Sequence, residues 1–191
     1  MLPKAEGAAS IEALLAMAGG APVPSILPIA TETAAAIFEL GSYRAVKTHL
    51  CGVTWGAEDL PAAIGASRAR EADGRYTPPL EMVRSLTLFA AHAAGGFAIE
   101  TVYPRIDDAY GLAAYIARAR RDGFMGMMAI HPAQVPAINT GFAPTEIELS
   151  HARAVVDSFA ANPGAGALKL DGEMIDRPHL VLAQWTLDQA S

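Results

Sequence analysis

Cysteine is nearly absent from this chain: Cys51 is the only one among 191 residues. A lone thiol excludes an intramolecular disulfide framework and fits a reducing, cytoplasmic compartment. Cys51 stands inside the apolar run Leu50–Trp55, so it reads as a small buried hydrophobe. Basic charge is also scarce, with 14 Lys and Arg against 20 Asp and Glu, a formal net charge of −6. That balance excludes nucleic acid as the main partner, because no basic excess is available to displace counterions. Long hydrophobic runs are missing too, although 52% of residues are hydrophobic. Every apolar stretch is broken by Gly, Pro or charge, so no membrane span is expected. A single Lys4 followed two residues later by Glu6 makes a poor signal peptide. Neither a repeat of fixed period nor a low-complexity tract is present.

What remains is enough apolar material for one sizeable core, hence one domain with at most a small appendage. The segments alternate. Ile26–Ala30 reads as a buried strand, Thr33–Leu40 as a helix, Leu50–Trp55 as a strand, and Asp59–Ile64 as the start of a helix. Ser67 to Tyr76 is polar without period and reads as a loop. A helix is predicted from Pro79 to about Ala94, a strand over Phe97–Tyr103, a helix over Asp107–Arg121 and a strand over Met125–Ile130. Strand–helix alternation at this spacing is the signature of a parallel sheet with crossover helices. Beyond Ile130 the pattern changes. His131-Pro132 opens a loop or short helix, and the capping box Thr145-x-x-Glu148 opens a long helix to about Ala161. A short strand at Ala167–Leu170, a turn at Asp171-Gly172 and a helix from about Pro178 follow. The expected division is residues 1–140, a partial barrel or open sheet, and residues 141–191, a helical and lid-like appendage.

Two apolar runs end in a carboxylate before a helix: Ile26-Leu27-Pro28-Ile29-Ala30-Thr31-Glu32 and Gly52-Val53-Thr54-Trp55-Gly56-Ala57-Glu58-Asp59. In α/β proteins that arrangement sets Glu32 and Asp59 at the C-terminal ends of parallel strands, where active sites gather. Paired carboxylates there suit a hard cation such as Mg²⁺, which takes one or two carboxylates plus waters and substrate oxygens. No pair of thiolates or histidines stands at zinc spacing. The competing reading is that both carboxylates cap the helices behind them. Arg68, Arg70 and Arg75 could meet phosphate groups, though Glu71 and Asp73 between them equally suit a solvated loop. His131 could line a pocket mouth or be structural. Lys4 could act as an electrophile or belong to a frayed terminus.

Taken together, LPKAE (2–6), ILPIATET (26–33), GVTWGAEDL (52–60), AIETVY (98–103), GFMGMMAIHPAQV (123–135) and LDGEMIDRPH (170–179) resemble the HpcH/HpaI aldolase and citrate lyase β-subunit family, of the acyl-CoA lyase type. The resemblance implies a (β/α) TIM barrel that uses Mg²⁺ to break or form carbon–carbon bonds beside a CoA thioester, as a trimer or hexamer. It implies that Glu32 and Asp59 hold the metal. The backbone of Ala57, Glu58 and Asp59 would hold the carboxylate of a small 2-keto acid. It further implies that Asp176 is the catalytic acid or base, delivered to a neighbouring subunit. Without the resemblance, Asp176 reads as a surface residue paired with Arg177 or His179.

The family's early motifs, a Phe-Val-Pro-Gly-like strand and a strand bearing a substrate-binding Arg, have no counterpart here. Met127 and Glu173 stand where Lys is common, and Glu100 where Asp is common. The fold expected is therefore α/β, an incomplete TIM barrel equivalent to the fourth to eighth strands, with a C-terminal helical appendage. The function expected is Mg²⁺-dependent cleavage of a 3-hydroxyacyl-CoA of citryl, malyl or citramalyl type. Two alternatives stand beside it: thioester hydrolysis in the same pocket, and a non-catalytic half-barrel that needs a missing N-terminal half or a partner.

Overall fold

The computed structural model describes residues 1–190. The chain divides into two compact units, Met1–Gly141 and Phe142–Ser191.

In the first unit, strands β1 (Gly52–Thr54), β2 (Phe97–Glu100) and β3 (Gly126–Met127) form a parallel sheet in sequence order. The parallel order extends past β1 through single bridges: Ile26 to Leu50, Ile29 to Thr54, and Leu2 to Pro28. The run Ile26–Ala30 thus lies beside β1 as bridges, because Pro28 has no N–H to donate to a ladder. Its neighbours still bond: Ala30 N–H donates to Thr54 O, and Thr54 N–H to Pro28 O. The chain start is not frayed. Leu2 N–H donates to Leu27 O at 2.9 Å, and Ile29 N–H to Leu2 O at 2.8 Å.

The helices of this unit are α1 (Ala8–Met17), α2 (Ala34–Phe38), α3 (Leu60–Ala63), α4 (Pro78–Ala93), α5 (Ala109–Asp122) and α6 (Val135–Phe142). Two 3₁₀ segments, Leu40–His49 and Pro132–Gln134, join them. In α4, Leu80, Val83, Arg84, Thr87 and Ala91 form one buried stripe. In α5, Leu112, Tyr115, Ile116 and Ala119 do the same. Gly123 ends α5 at φ 105°, the left-handed position that glycine adopts without a Cβ clash. Glu81 and Arg118 tie the two helices at 2.5 Å.

Strand register assigns the two faces of the sheet. Val53, Ala98, Trp55 and Glu100 lie on one face and are fully buried. On the other, Ile99 is half-buried and Phe97 is 50% exposed. Cys51 corrects the expectation of burial: it is exposed in a bend just before β1, which begins two residues after the start of the apolar run Leu50–Trp55.

The second unit contains α7 (Glu146–Ala161), an antiparallel hairpin of β4 (Ala167–Leu170) and β5 (Glu173–Asp176), and α8 (Arg177–Asp188). Thr145 and Glu148 form the expected reciprocal cap on α7. Ala152, Val155, Phe159, Ile175 and Ala183 make this unit's own core. No helix among the described residues is long and apolar enough to cross a membrane.

Candidate functional site

Glu32 follows the bridged run 26–30 and is 8% exposed. Its carboxylate accepts the Lys4 backbone N–H, and among the described residues it has no cationic side-chain partner. Thr33, not Glu32, caps α2, its hydroxyl accepting the Ala36 N–H at 3.2 Å. Thr33 in turn donates to Glu6 at 2.5 Å. Asp59 sits at the N-cap position of α3 but makes no capping hydrogen bond. Neither carboxylate thus makes a side-chain cap hydrogen bond, while Asp59 keeps its charge at the N-terminus of α3.

The turn from Trp55 to Asp59 is packed directly against Glu32. Gly56 N–H donates to the buried Thr31 hydroxyl at 3.1 Å. A Cβ at Gly56 would stand 2.5 Å from Glu32 Cγ, closer than real side-chain contacts, so the glycine is what lets turn and carboxylate meet. Ala57 is fully buried, while Glu58 and Asp59 are exposed. Just before the turn, the buried Thr54 hydroxyl has no hydrogen-bond partner among the described residues.

The donor set fits a hard divalent cation: oxygen ligands only, with one buried carboxylate that no cationic side chain neutralises. Among the described residues no cluster of three or more His, Cys, Asp or Glu side chains could hold a metal ion. A cation held by Glu32 and Asp59 would keep positions open for water and substrate.

The other candidates are placed as follows. Arg70 stacks over Tyr76 at 3.9 Å and donates to its hydroxyl at 2.6 Å. Arg75 pairs with Asp73 at 2.6 Å. Arg68 is exposed and has no ion pair among the described residues, leaving it the loop arginine available to an anion. His131 Nδ1 accepts the Ala133 N–H at 3.2 Å, a cap on the short 3₁₀ helix. The Lys4 side chain is exposed, and its backbone, not its amine, reaches Glu32. Asp176 belongs to the second unit, where His179 Nδ1 lies 2.6 Å from Asp176 Oδ1. One ring nitrogen cannot both donate there and accept the Asp176 N–H 3.2 Å away, so the shorter contact sets the tautomer. A cavity of about 430 Å³ lined by Gly41, Ser42, Arg44, Ala45, Lys47 and Ala93 lies on segments that precede β1 and β2, away from the strand ends that carry Glu32 and Asp59.

Sequence reasoning missed the charge network behind the site. Glu100, fully buried, accepts Trp55 Nε1–H at 2.5 Å, Arg84 Nε–H at 2.6 Å and Thr101 N–H at 2.9 Å. Arg84 Nη1 also donates to Asp122 at 2.7 Å. Burial raises the Asp122 carboxyl, but hydrogen bonds from Arg84 and Arg121 outweigh it and hold the group below its usual range. Tyr76 meets Trp55 edge-on at 5.0 Å, and burial pushes its hydroxyl up to about 12. The available signals were weak: an arginine on the apolar stripe of α4 and a carboxylate inside an apolar strand.

A parallel α/β sheet with Glu32 and Asp59 beyond its strand ends defines the class, α/β proteins, in which binding sites gather at the C-terminal side of the sheet. Within that class the chain belongs to the HpcH/HpaI aldolase/citrate lyase family, whose model matches residues 1–132. It is 36% identical over 190 residues to a citrate lyase subunit beta-like protein of Mycobacterium tuberculosis, covering 100% of this chain and 66% of that one. It is 31% identical over 195 residues to a (3S)-malyl-CoA thioesterase of Cereibacter sphaeroides, of which it covers 64%. The crystal structure of the M. tuberculosis CitE protein in complex with magnesium, acetoacetate and coenzyme A matches with a TM-score of 0.81 at 36% identity, covering 100% of this chain and 67% of that chain. The chain thus spans about two thirds of the length of these relatives.

Proposed function

We propose that this chain carries the metal and keto-acid half of a Mg²⁺-dependent enzyme acting on a 3-hydroxyacyl-CoA thioester. The observation that supports this most is the contact between the un-neutralised, buried Glu32 and the Gly56–Asp59 turn. The relatives point the same way: one acts on malyl-CoA, and a related structure holds magnesium, acetoacetate and coenzyme A. In this reading the parallel run of residues 2–4, 26–30, β1, β2 and β3 is the later part of a (β/α) TIM barrel, equivalent to its fourth to eighth strands. Residues 141–191 are its lid-like appendage.

Glu32 and Asp59 hold the ion. When bound, Mg²⁺ supplies a Lewis acid that draws electron density from the substrate's oxygen. The backbone of Ala57, Glu58 and Asp59 receives the carboxylate of the 2-keto acid. Asp176 moves the proton at the thioester's α-carbon in a neighbouring copy's site, with His179 fixing its orientation. Cleavage breaks the bond between the hydroxyl-bearing carbon and the α-carbon. It gives a 2-keto acid and a shorter acyl-CoA: the hydroxyl gives up its proton as its carbon becomes the carbonyl, and the α-carbon takes one up. Hydrolysis instead adds water at the thioester and releases free CoA and the acid.

The test incubates the chain with malyl-CoA and citramalyl-CoA with and without millimolar Mg²⁺, following 2-keto acid as its hydrazone and free thiol separately. Keto acid identifies a lyase and thiol a thioesterase. Glu32→Ala and Asp59→Ala are each expected to abolish turnover; turnover retained in both sinks the metal assignment.

A second reading, a half-barrel that works only with a partner or a missing N-terminal half, is favoured by the half-exposed Phe97 and half-buried Ile99 on one face of the sheet. β3 pairs only with β2 among the described residues, leaving an open edge. Both readings anticipate self-association, a trimer or hexamer in the first. Light scattering at micromolar concentration checks it, and a stable monomer contradicts it.

A further inference from the structure

We infer that the buried Glu100–Arg84 pair is a positioning device for the metal-binding turn, acting through the indole of Trp55. The inference rests on the metal reading above and goes beyond it, because neither residue belongs to the proposed ligand set.

Trp55 is the residue from which the Gly56–Asp59 turn departs, and it is fully buried. Packing alone would allow the indole to slide or rock; a hydrogen bond from Nε1–H fixes its direction. The acceptor is itself immobilised. Glu100 Oε1 receives both Trp55 Nε1–H and Thr101 N–H, and Oε2 receives Arg84 Nε–H. Arg84 is pinned by Asp122 at 2.7 Å and lies over the Phe124 ring at 4.6 Å. The other side of the turn is fixed by Gly56 N–H on Thr31 and by Glu32 pressed against Gly56. The turn is thus held between an anchor behind the sheet and one of its own prospective metal ligands.

The energetics support a role beyond stability. A buried ion pair gains little over apolar packing of the same shape, since desolvation of both charges offsets their attraction. What the pair supplies is a single, directional position for the indole, and binding sites need their ligands held to within about 0.5 Å.

The test measures Mg²⁺ binding by calorimetry on the full chain, with folding checked by circular dichroism. Trp55→Phe keeps the aromatic packing and the Glu100–Arg84 pair but removes the N–H. It is expected to weaken Mg²⁺ binding about tenfold, the usual effect of losing a group that orients a metal ligand. Glu100→Gln keeps an acceptor but frees it from Arg84, and the same direction is expected. Wild-type affinity in both folded variants overturns the inference. Trp185→Phe leaves Trp55 as the only tryptophan of the two in the chain, giving a readout without a core substitution. In that background Glu100→Gln is expected to shift Trp55 emission, and an emission unchanged by it also overturns the inference. Glu32→Ala separates the two failures. Should the wild type bind no Mg²⁺, or Glu32→Ala bind it as the wild type does, the metal reading falls and this inference with it. Should Glu32→Ala lose binding that Trp55→Phe and Glu100→Gln retain, only the positioning role falls.

Discussion

Replacing Arg84 by Met isolates the energetics of the buried pair. The side chains of Arg84 and Glu100 are 4% and 0% exposed, so the substitution leaves a carboxylate in the core with only the N–H groups of Trp55 and Thr101 to satisfy it. Removing one member of a buried pair costs about 3–5 kcal/mol, against about 0–1 kcal/mol for a surface pair. Loss of the guanidinium from the face of Phe124 adds about 0.5–2 kcal/mol. Asp122 contributes little to the loss, since Arg121 remains on it at 2.8 Å. A small domain has about 5–15 kcal/mol in total, so the loss is a large share of it. The double substitution Arg84→Met with Glu100→Gln removes the stranded charge while keeping an acceptor for Trp55. It is expected to restore most of the loss, to within about 2 kcal/mol of the parent. Urea unfolding followed by circular dichroism measures all four corners of the cycle. A single-variant loss below about 1 kcal/mol, or a double variant no more stable than the single, refutes the argument.

Gly56→Ala forces a methyl to 2.5 Å from Glu32 Cγ, and overpacking of this kind costs about 1–3 kcal/mol; urea unfolding checks the loss and calorimetry the accompanying fall in Mg²⁺ affinity. The tyrosines predict an alkaline limit. Burial pushes Tyr43 and Tyr76 up to about 12, and Tyr115 upward as well. Because these folded-state values are raised, their stabilisation is complete below the unfolded value near 10 and is lost as pH climbs from there toward 12. Absorbance titration at 295 nm is expected to show at least three of the five tyrosines ionising late and together with unfolding; smooth ionisation of all five near pH 10 in a folded chain contradicts it.

Legibility in the sequence followed the range of the interaction. The cap of α7 was readable because Thr145 and Glu148 are three residues apart and each satisfies the other's backbone. The amphipathic stripes of α4 and α5 carried their own period. The turn Asp171-Gly172 was readable, but the return strand Glu173–Asp176 was not, since its partner register is set only by pairing with Ala167–Leu170. Helix α1 was hidden in an Ala-rich stretch with little contrast between its faces. The contact of Glu32 with Gly56 joins residues far apart in the chain, as does that of Glu100 with Trp55, and no local spacing encodes either. Strand-end position nominated Glu32 and Asp59; tertiary contact alone reveals what surrounds them.

The link between Lys4 and Glu32 has an evolutionary consequence. Its donor is a main-chain N–H, so nineteen of the twenty amino acids can provide it and only proline removes it. The backbone there is left-handed, at φ 52°, which makes Gly, Asn and Asp comfortable substitutes. Position 4 can therefore exchange its side chain, most easily among residues that tolerate the left-handed backbone, while its contribution to the Glu32 carboxylate stays constant. Substitution patterns among relatives are expected to record the backbone's left-handed path there rather than the lysine's amine.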